Sequence, residues 1–250
     1  MSELLVSAYQ SKRALSPHRQ LAFGTILHAP WDTSIEEPEI DVYRIQAETR
    51  AALSAMFPSW LAVIEPQAFS NVRHESGGNL LSVHCHFIGH GVSSMQAVES
   101  RRQTVSRRFK GRFEDVETVK IQRIGPTELD LARTVSYLLK APRRSKTLYV
   151  HRISGRGNLH ESEANDRFIR YLRMVQILSS MRIDRIVYAA NEGAGIRADA
   201  LREARSWLRT GEGTRKPPVH SDAIEKYWLE LWRRLDQSRY KLPVVKIKRL

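Results

Sequence analysis

Two histidines, His84 and His86, flank one apolar residue in the stretch LLSVHCHFIGHG, residues 80–91. Side chains alternate across a strand, so the two imidazoles share one face, while Val83, Cys85 and Phe87 point to the other, toward a core. Imidazoles side by side on a strand face make a ready pair of metal ligands. A second group lies downstream, on a helix expected over residues 127–140, where Leu131, Val135 and Leu138 form one apolar stripe. At about 100° per residue, Arg133, Tyr137 and Lys140 fall together on a face turned away from that stripe. Tyr137 and Lys140 are i, i+3 neighbours. Cations beside a phenol lower the cost of its phenolate and can hold a phosphate.

The elements around these residues follow from periodicity and punctuation. Residues 21–27, LAFGTIL, read as a first strand, ended by His28, Pro30 and Trp31. A helix is expected from about residue 34 to 57, with Val42, Ile45, Leu53 and Met56 on one side and Pro58 closing it. Residues 60–65, WLAVIE, make a second strand, and the polar connection PQAFSNVRHESGGN leads into the histidine strand. The two strands are expected to form an antiparallel hairpin with a long connection, which sets Glu65 close to opposite the histidine pair. A helix over 93–109 carries Arg101, Arg102, Arg107 and Arg108 at its basic end. Residues 116–124 alternate as a fourth strand, broken by Gly125-Pro126. Thr127 caps the next helix, with Glu128 and Asp130 in its first turn.

Arg143, Arg144 and Lys146 follow Pro142, ahead of a strand near 148–153. Residues 1–20 read as polar and irregular, a helical turn followed by a loop at Ser16-Pro17. The glycines at 155 and 157 suggest a boundary, with a first domain over 1–155 and a mainly helical region over 156–250 that binds DNA or packs on the first. Helices are expected there at 161–181, 197–208 and 221–240, with a strand at 183–189. The order predicts an α+β fold: an antiparallel sheet with flanking helices, then a mainly helical C-terminal part.

The formal charge is +13, from 40 Lys+Arg against 27 Asp+Glu. Such an excess suits a polyanion, nucleic acid first and an acidic membrane surface second. Cys85 is the single cysteine, which excludes an internal disulfide and a Cys-rich zinc site and fits a reducing cytoplasm. The start, MSELLVSAYQSKR, lacks a signal pattern, and no apolar run approaches the roughly 20 residues of a membrane span.

Taken in order, these residues resemble the HUH endonuclease superfamily, in particular the single-tyrosine rolling-circle replication initiators of plasmids and phages. The resemblance covers about residues 20–142 and rests on a strand with a central Thr25, on His84-Cys85-His86, and on Tyr137-Leu138-Leu139-Lys140. The chain departs from the pattern in the middle cysteine, apolar enough to serve, and in the Ala-Pro after Lys140, where these initiators often continue with an aromatic residue. The resemblance implies a palm-like antiparallel sheet that binds Mg²⁺ or Mn²⁺ through His84, His86 and an acidic third ligand. Glu65 fits the hairpin best for that ligand, with Glu75, His74 and His90 as alternatives. Two imidazoles favour Mn²⁺ over Mg²⁺.

Tyr137 would attack the scissile phosphate to give a 5′-phosphotyrosine and a 3′-OH, with Lys140 holding the phosphate. Arg101, Arg102, Arg107, Arg108, Arg133, Arg143, Arg144 and Lys146 would track the DNA backbone. The implied partners are a single-stranded or supercoiled DNA origin and, since the chain has no GxxxxGK[ST] loop, a host helicase. A transposase of the same superfamily shares the histidine pair and tyrosine. A non-catalytic basic DNA-binding regulator is a further alternative, since residues 191–195 and the helix after them suggest a helix-turn-helix. The spacing Gly78-x₅-His84-x-His86-x₃-His90 also resembles the first motif of the cupins, but those are all-β barrels and this chain is rich in helices.

Overall fold

Alternating apolar side chains give this chain a sheet with two buried faces, and the helices are amphipathic covers for them. A computed structural model describes residues 2–15, 20–113, 116–139, 146–150, 157–161, 168–210 and 226. Lys140, Arg143, Arg144 and, except for residue 226, the helix expected over 221–240 lie outside the described residues. In chain order the elements are α1 (Ser2–Leu15), β1 (Gln20–Leu27), a 3-10 turn (Ala29–Trp31), β2 (Thr33–Ser34), α2 (Val42–Met56), β3 (Ser59–Arg73), β4 (Asn79–Val92) and α3 (Met95–Ser106). They continue with β5 (Val119–Arg123), α4 (Glu128–Leu138), β6 (Lys146–Val150), β7 (Gly157–Glu161), α5 (Phe168–Ser180), α6 (Ile183–Ile186), β8 (Val187–Ala190) and α7 (Glu192–Thr210).

The strand order is β5-β1-β4-β3-β6-β7, with β8 beside the first half of β3 and β2 beside β4. All pairings are antiparallel except the short parallel contact of β3 with β6 at Phe69 and Lys146. One face of the sheet carries Ile26, Ile64, Val83, Cys85, Phe87 and Val119, and packs on Ile45, Leu53 and Met56 of α2 and on Val98 and Val105 of α3. The other face carries Leu21, Phe23, Leu61, Val63 and Ile88, under Leu5 and Val6 of α1, Leu131 and Val135 of α4, and Ile196 of α7. Each such side chain, once fully buried, contributes about 1.5–3 kcal/mol relative to exposure.

The mixed α/β composition and the mostly antiparallel sheet agree with the expectation from sequence. Its edges and its helical layers on both faces are not those of a cupin barrel. Several elements differ from the sequence reading. Residues 2–15 form a helix because Leu5, Val6 and Tyr9 make a stripe that is fully buried. The helix expected from residue 34 starts eight residues later at Val42, since Thr33 and Ser34 pair with Leu81 and Leu80 and Asp41 provides the cap.

The polar connection after residue 65 continues β3 to Arg73, so the hairpin closes through a tight turn at residues 74–78, with Gly77 and Gly78 at positive φ. Pro66 is tolerated because, among the described residues, β8 pairs with β3 only up to Val63 and β6 meets it at Phe69, with no strand on that edge of β3 between them. The strand expected at 183–189 is a helical turn followed by β8. The boundary expected near residue 155 falls between β6 and β7, and the chain beyond it returns to the same sheet through β8 and to the same core through α7. No helix among the described residues is long and apolar enough to cross a membrane.

Candidate active site

Antiparallel register assembles the first half of the site. Glu65 on β3 stands opposite His84 on β4, and Thr25 on β1 stands opposite His86. All four side chains project from the sheet face that α1, α4 and α7 cover farther along. Glu65 Oε2 lies 2.9 Å from His86 Nε2 and 3.6 Å from His84 Nε2. The two Nε2 atoms are 3.1 Å apart. His86 Nδ1 lies 2.8 Å from the Thr25 hydroxyl. With Nδ1–H donating to Thr25, His86 presents its Nε2 lone pair to the point where His84 Nε2 and the carboxylate converge.

The three ligand groups are buried, and their donor atoms all lie within 4.8 Å of one another. Glu65 is 3% exposed, and neither of its oxygens makes an aligned hydrogen bond. Burial pushes its carboxyl up, but contacts and charge from His84 and His86 outweigh burial and hold it down at about 2. A buried carboxylate that stays ionised, with Oε2 turned to two imidazole nitrogens, is suited to share a cation with them. Neighbouring donors on a six-coordinate ion with bonds of about 2.1 Å stand about 3 Å apart, close to the separations found here. The residues therefore fit a divalent metal ion. One carboxylate and two imidazoles do not by themselves select among manganese, iron and zinc.

Helix α4 brings the second half. Leu131, Val135 and Leu138 are buried, which leaves Tyr137 42% exposed on the side facing the sheet's open end. Its ring centroid lies 5.1 Å from that of His86. Phe23 stacks on His86 at 5.5 Å and meets Tyr137 edge-on at 5.6 Å. A cleft of about 400 Å³ opens here, lined by Phe23 and Thr25 of β1, Lys120 and Gln122 of β5, and Arg133 and Tyr137 of α4. Gly24 lies in its floor, where a Cβ would come 2.3 Å from the Phe87 ring and 2.6 Å from the Lys120 carbonyl oxygen. Only glycine lets β1 pass so close.

The start of α4 is held from two sides. Thr127 and Asp130 form a reciprocal capping box, with the Asp130 N–H donating to the Thr127 hydroxyl and the Thr127 N–H donating to the Asp130 carboxylate. Arg13, in the last turn of α1, donates to the carbonyls of Gly125 and Pro126 at 2.6 and 3.0 Å.

The structure thus brings Glu65, His84, His86, Arg133 and Tyr137 together. Among the alternative third ligands, Glu75 and His74 sit in the turn at the far end of the hairpin, near Arg112 and Ser76. His90 is on the same face of β4 but beside Tyr9 and Glu192. The helix that carries Arg101 and Arg102, and the turn after it with Arg107 and Arg108, cover the opposite face of the sheet. Arg102 is engaged by Glu99, Glu117 and the Val119 carbonyl. Lys146 lies in β6, opposite Glu161. Sequence reasoning did not name Phe23, Lys120 or Gln122 as site residues. The alternation of VKIQR carried the signal for two of them: with Val119 and Ile121 turned to the α3 side, Lys120 and Gln122 must face the other way.

Comparisons with protein families, with curated proteins and with solved structures find no match to this chain.

Proposed function

We propose that this protein is a metal-dependent endonuclease that nicks and rejoins single-stranded DNA through a tyrosine, and that it initiates rolling-circle replication of a plasmid or phage. The observation that supports this reading is the placement of a half-exposed phenol, Tyr137, against a buried Glu65–His84–His86 cluster at the mouth of a cationic cleft. The donor set alone would equally suit a ferrous site. The phenol with Lys120 and Arg133 beside it favours chemistry on a phosphate.

Glu65, His84 and His86 would hold a divalent ion, which when bound would supply Lewis acidity at the scissile phosphate. Tyr137 is the nucleophile. Its oxygen forms a bond to phosphorus in line with the departing 3′ oxygen. The P–O3′ bond breaks, the 3′ oxygen takes up a proton, and the 5′ phosphate stays on the tyrosine. The phenolic proton leaves to solvent. Lys120 and Arg133 line the same cleft and place positive charge beside the attacked phosphate. These two cations also hold the flanking phosphates. The buried ring of Phe23 packs on both His86 and Tyr137 and so helps hold the phenol beside the cluster. Attack by the 3′-OH on the phosphotyrosine restores the strand, since the phosphodiester energy is kept.

The test is a labelled single-stranded origin oligonucleotide incubated with Mn²⁺ and resolved on a denaturing gel. Wild type should give a labelled band of protein size that is absent with Tyr137→Phe. Cleavage that persists in Tyr137→Phe without an adduct would make water the nucleophile and the protein an ordinary metal nuclease.

A further inference from the structure

At the β8 edge of the sheet, away from the tyrosine cleft at the β5 side, α6 and α7 enclose an open groove of about 490 Å³. Four of its seven lining residues are arginines: Arg197, Arg202, Arg205 and Arg209 of α7. Arg197 serves the fold, donating to the carbonyls of Val187 and Asp184 and so tying α7 to the β8 edge. The other three point outward. Arg202 and Arg205 are about two-thirds exposed, paired with Asp199 at 2.7 Å and Asp184 at 3.3 Å. Asp184 is shared with Arg182. Exposed pairs of this kind contribute little and exchange readily for another anion.

We infer that this groove is a second nucleic-acid surface, one that binds the phosphate backbone of duplex DNA. Residues 202, 205 and 209 fall on one side of the helix and span about 10 Å. Over that length one strand of a duplex presents about three phosphates. Guanidinium groups match phosphate geometry with paired donors where lysines would act as point charges. The groove is lined by arginines with Asp184, Ala198 and Leu201, a set that addresses backbone charge, whereas surfaces for single strands present rings on which bases stack. The tyrosine cleft has such a ring in the half-exposed Tyr137. Among the described residues the groove's apolar members are Ala198 and the buried Leu201, a small area to offer a lipid surface. The inference stands independently of the metal-site chemistry.

The full-length protein with Arg202→Ala, Arg205→Ala and Arg209→Ala together tests it. The three side chains are surface groups, so the thermal melt should match wild type. Binding to a labelled random-sequence duplex is titrated by fluorescence anisotropy, without divalent metal, at several salt concentrations. The variant should bind about tenfold or more weakly at moderate salt, and its log K against log salt should be shallower by about 2 to 3, at roughly 0.9 for each phosphate no longer neutralised. Unchanged duplex affinity and slope would overturn the inference. So would an equal weakening of binding to a single-stranded oligonucleotide, or a loss of binding to phosphatidylserine vesicles with duplex binding intact. Nicking of a single strand by wild type and variant alike would show that the two surfaces are separate. Its absence from both would count against the tyrosine chemistry and leave the duplex result as measured.

Discussion

The two faces of β4 solve the same physical problem differently. On the α2 side, the polar atoms close on one another: the Cys85 thiol lies 3.1 Å from the Tyr188 hydroxyl, which meets the Thr49 hydroxyl, which donates to the Ile45 carbonyl. Burial pushes the Cys85 thiol up to about 12, so it is neutral and inert. On the other side Glu65, on neighbouring β3 opposite His84, is also buried and stays charged, with Oε2 turned to two imidazoles but without aligned hydrogen bonds. Buried polar groups are ordinarily satisfied within the protein. A strand that satisfies them on one face and leaves them converging on the other has divided stability from ligand binding by alternation alone.

The largest expected effect tests that division directly. Cys85→Asp places a charge in the closed face and should cost about 4 kcal/mol or more. His84→Ala, one position away, should cost no more than about 2 kcal/mol. Chemical denaturation of both variants checks this, and equal losses would erase the difference between the faces. Metal sharpens it from the other side. Mn²⁺ at a hundred times its dissociation constant should stabilise wild type by about 2.7 kcal/mol. Glu65→Gln should abolish that gain, while Glu75→Ala, in the distant turn, should keep it; a thermal shift with and without Mn²⁺ separates the two.

A smaller effect belongs to Thr25. Thr25→Val removes the group that orients His86 while keeping its shape, so calorimetry should show metal affinity about 10- to 100-fold weaker. The smallest is a dependence on acid. The Glu65 carboxyl is held at about 2, below its ordinary 4.5. In metal-free protein its contribution to stability is therefore complete above pH 4.5 and is lost as pH falls toward about 2. Melts across that window should flatten in Glu65→Gln.

Much of this site could be read from local pattern. The strand period placed His84 and His86 together and Cys85 behind them, and the helix period turned Tyr137 away from Leu131, Val135 and Leu138. Both depend only on residues close in sequence. Non-local pairing was harder to read. The polar sequence after Pro66 looks like a loop, yet it is a strand that pairs with β4 to Ala68 and again at Arg73, and meets β6 at Phe69. The arrival of β8 beside Trp60–Val63 depends on residues more than a hundred positions away, and no local period announces it. Residues 2–15 look polar overall, and their helix is fixed by only a few buried side chains against α4 and the sheet.

The capping box at Thr127 and Asp130 sets more than where α4 begins. A helix converts sequence position into angular phase, about 100° for each residue. Tyr137 lies ten positions after Thr127, about 15 Å along the axis. Were the helix to begin one residue early or late relative to its anchored turn, the phenol would swing by more than a quarter of a revolution and leave the imidazole it now faces. The timing of the site is thus kept at its far end, by a hydroxyl, a carboxylate and the grip of Arg13 on the preceding turn.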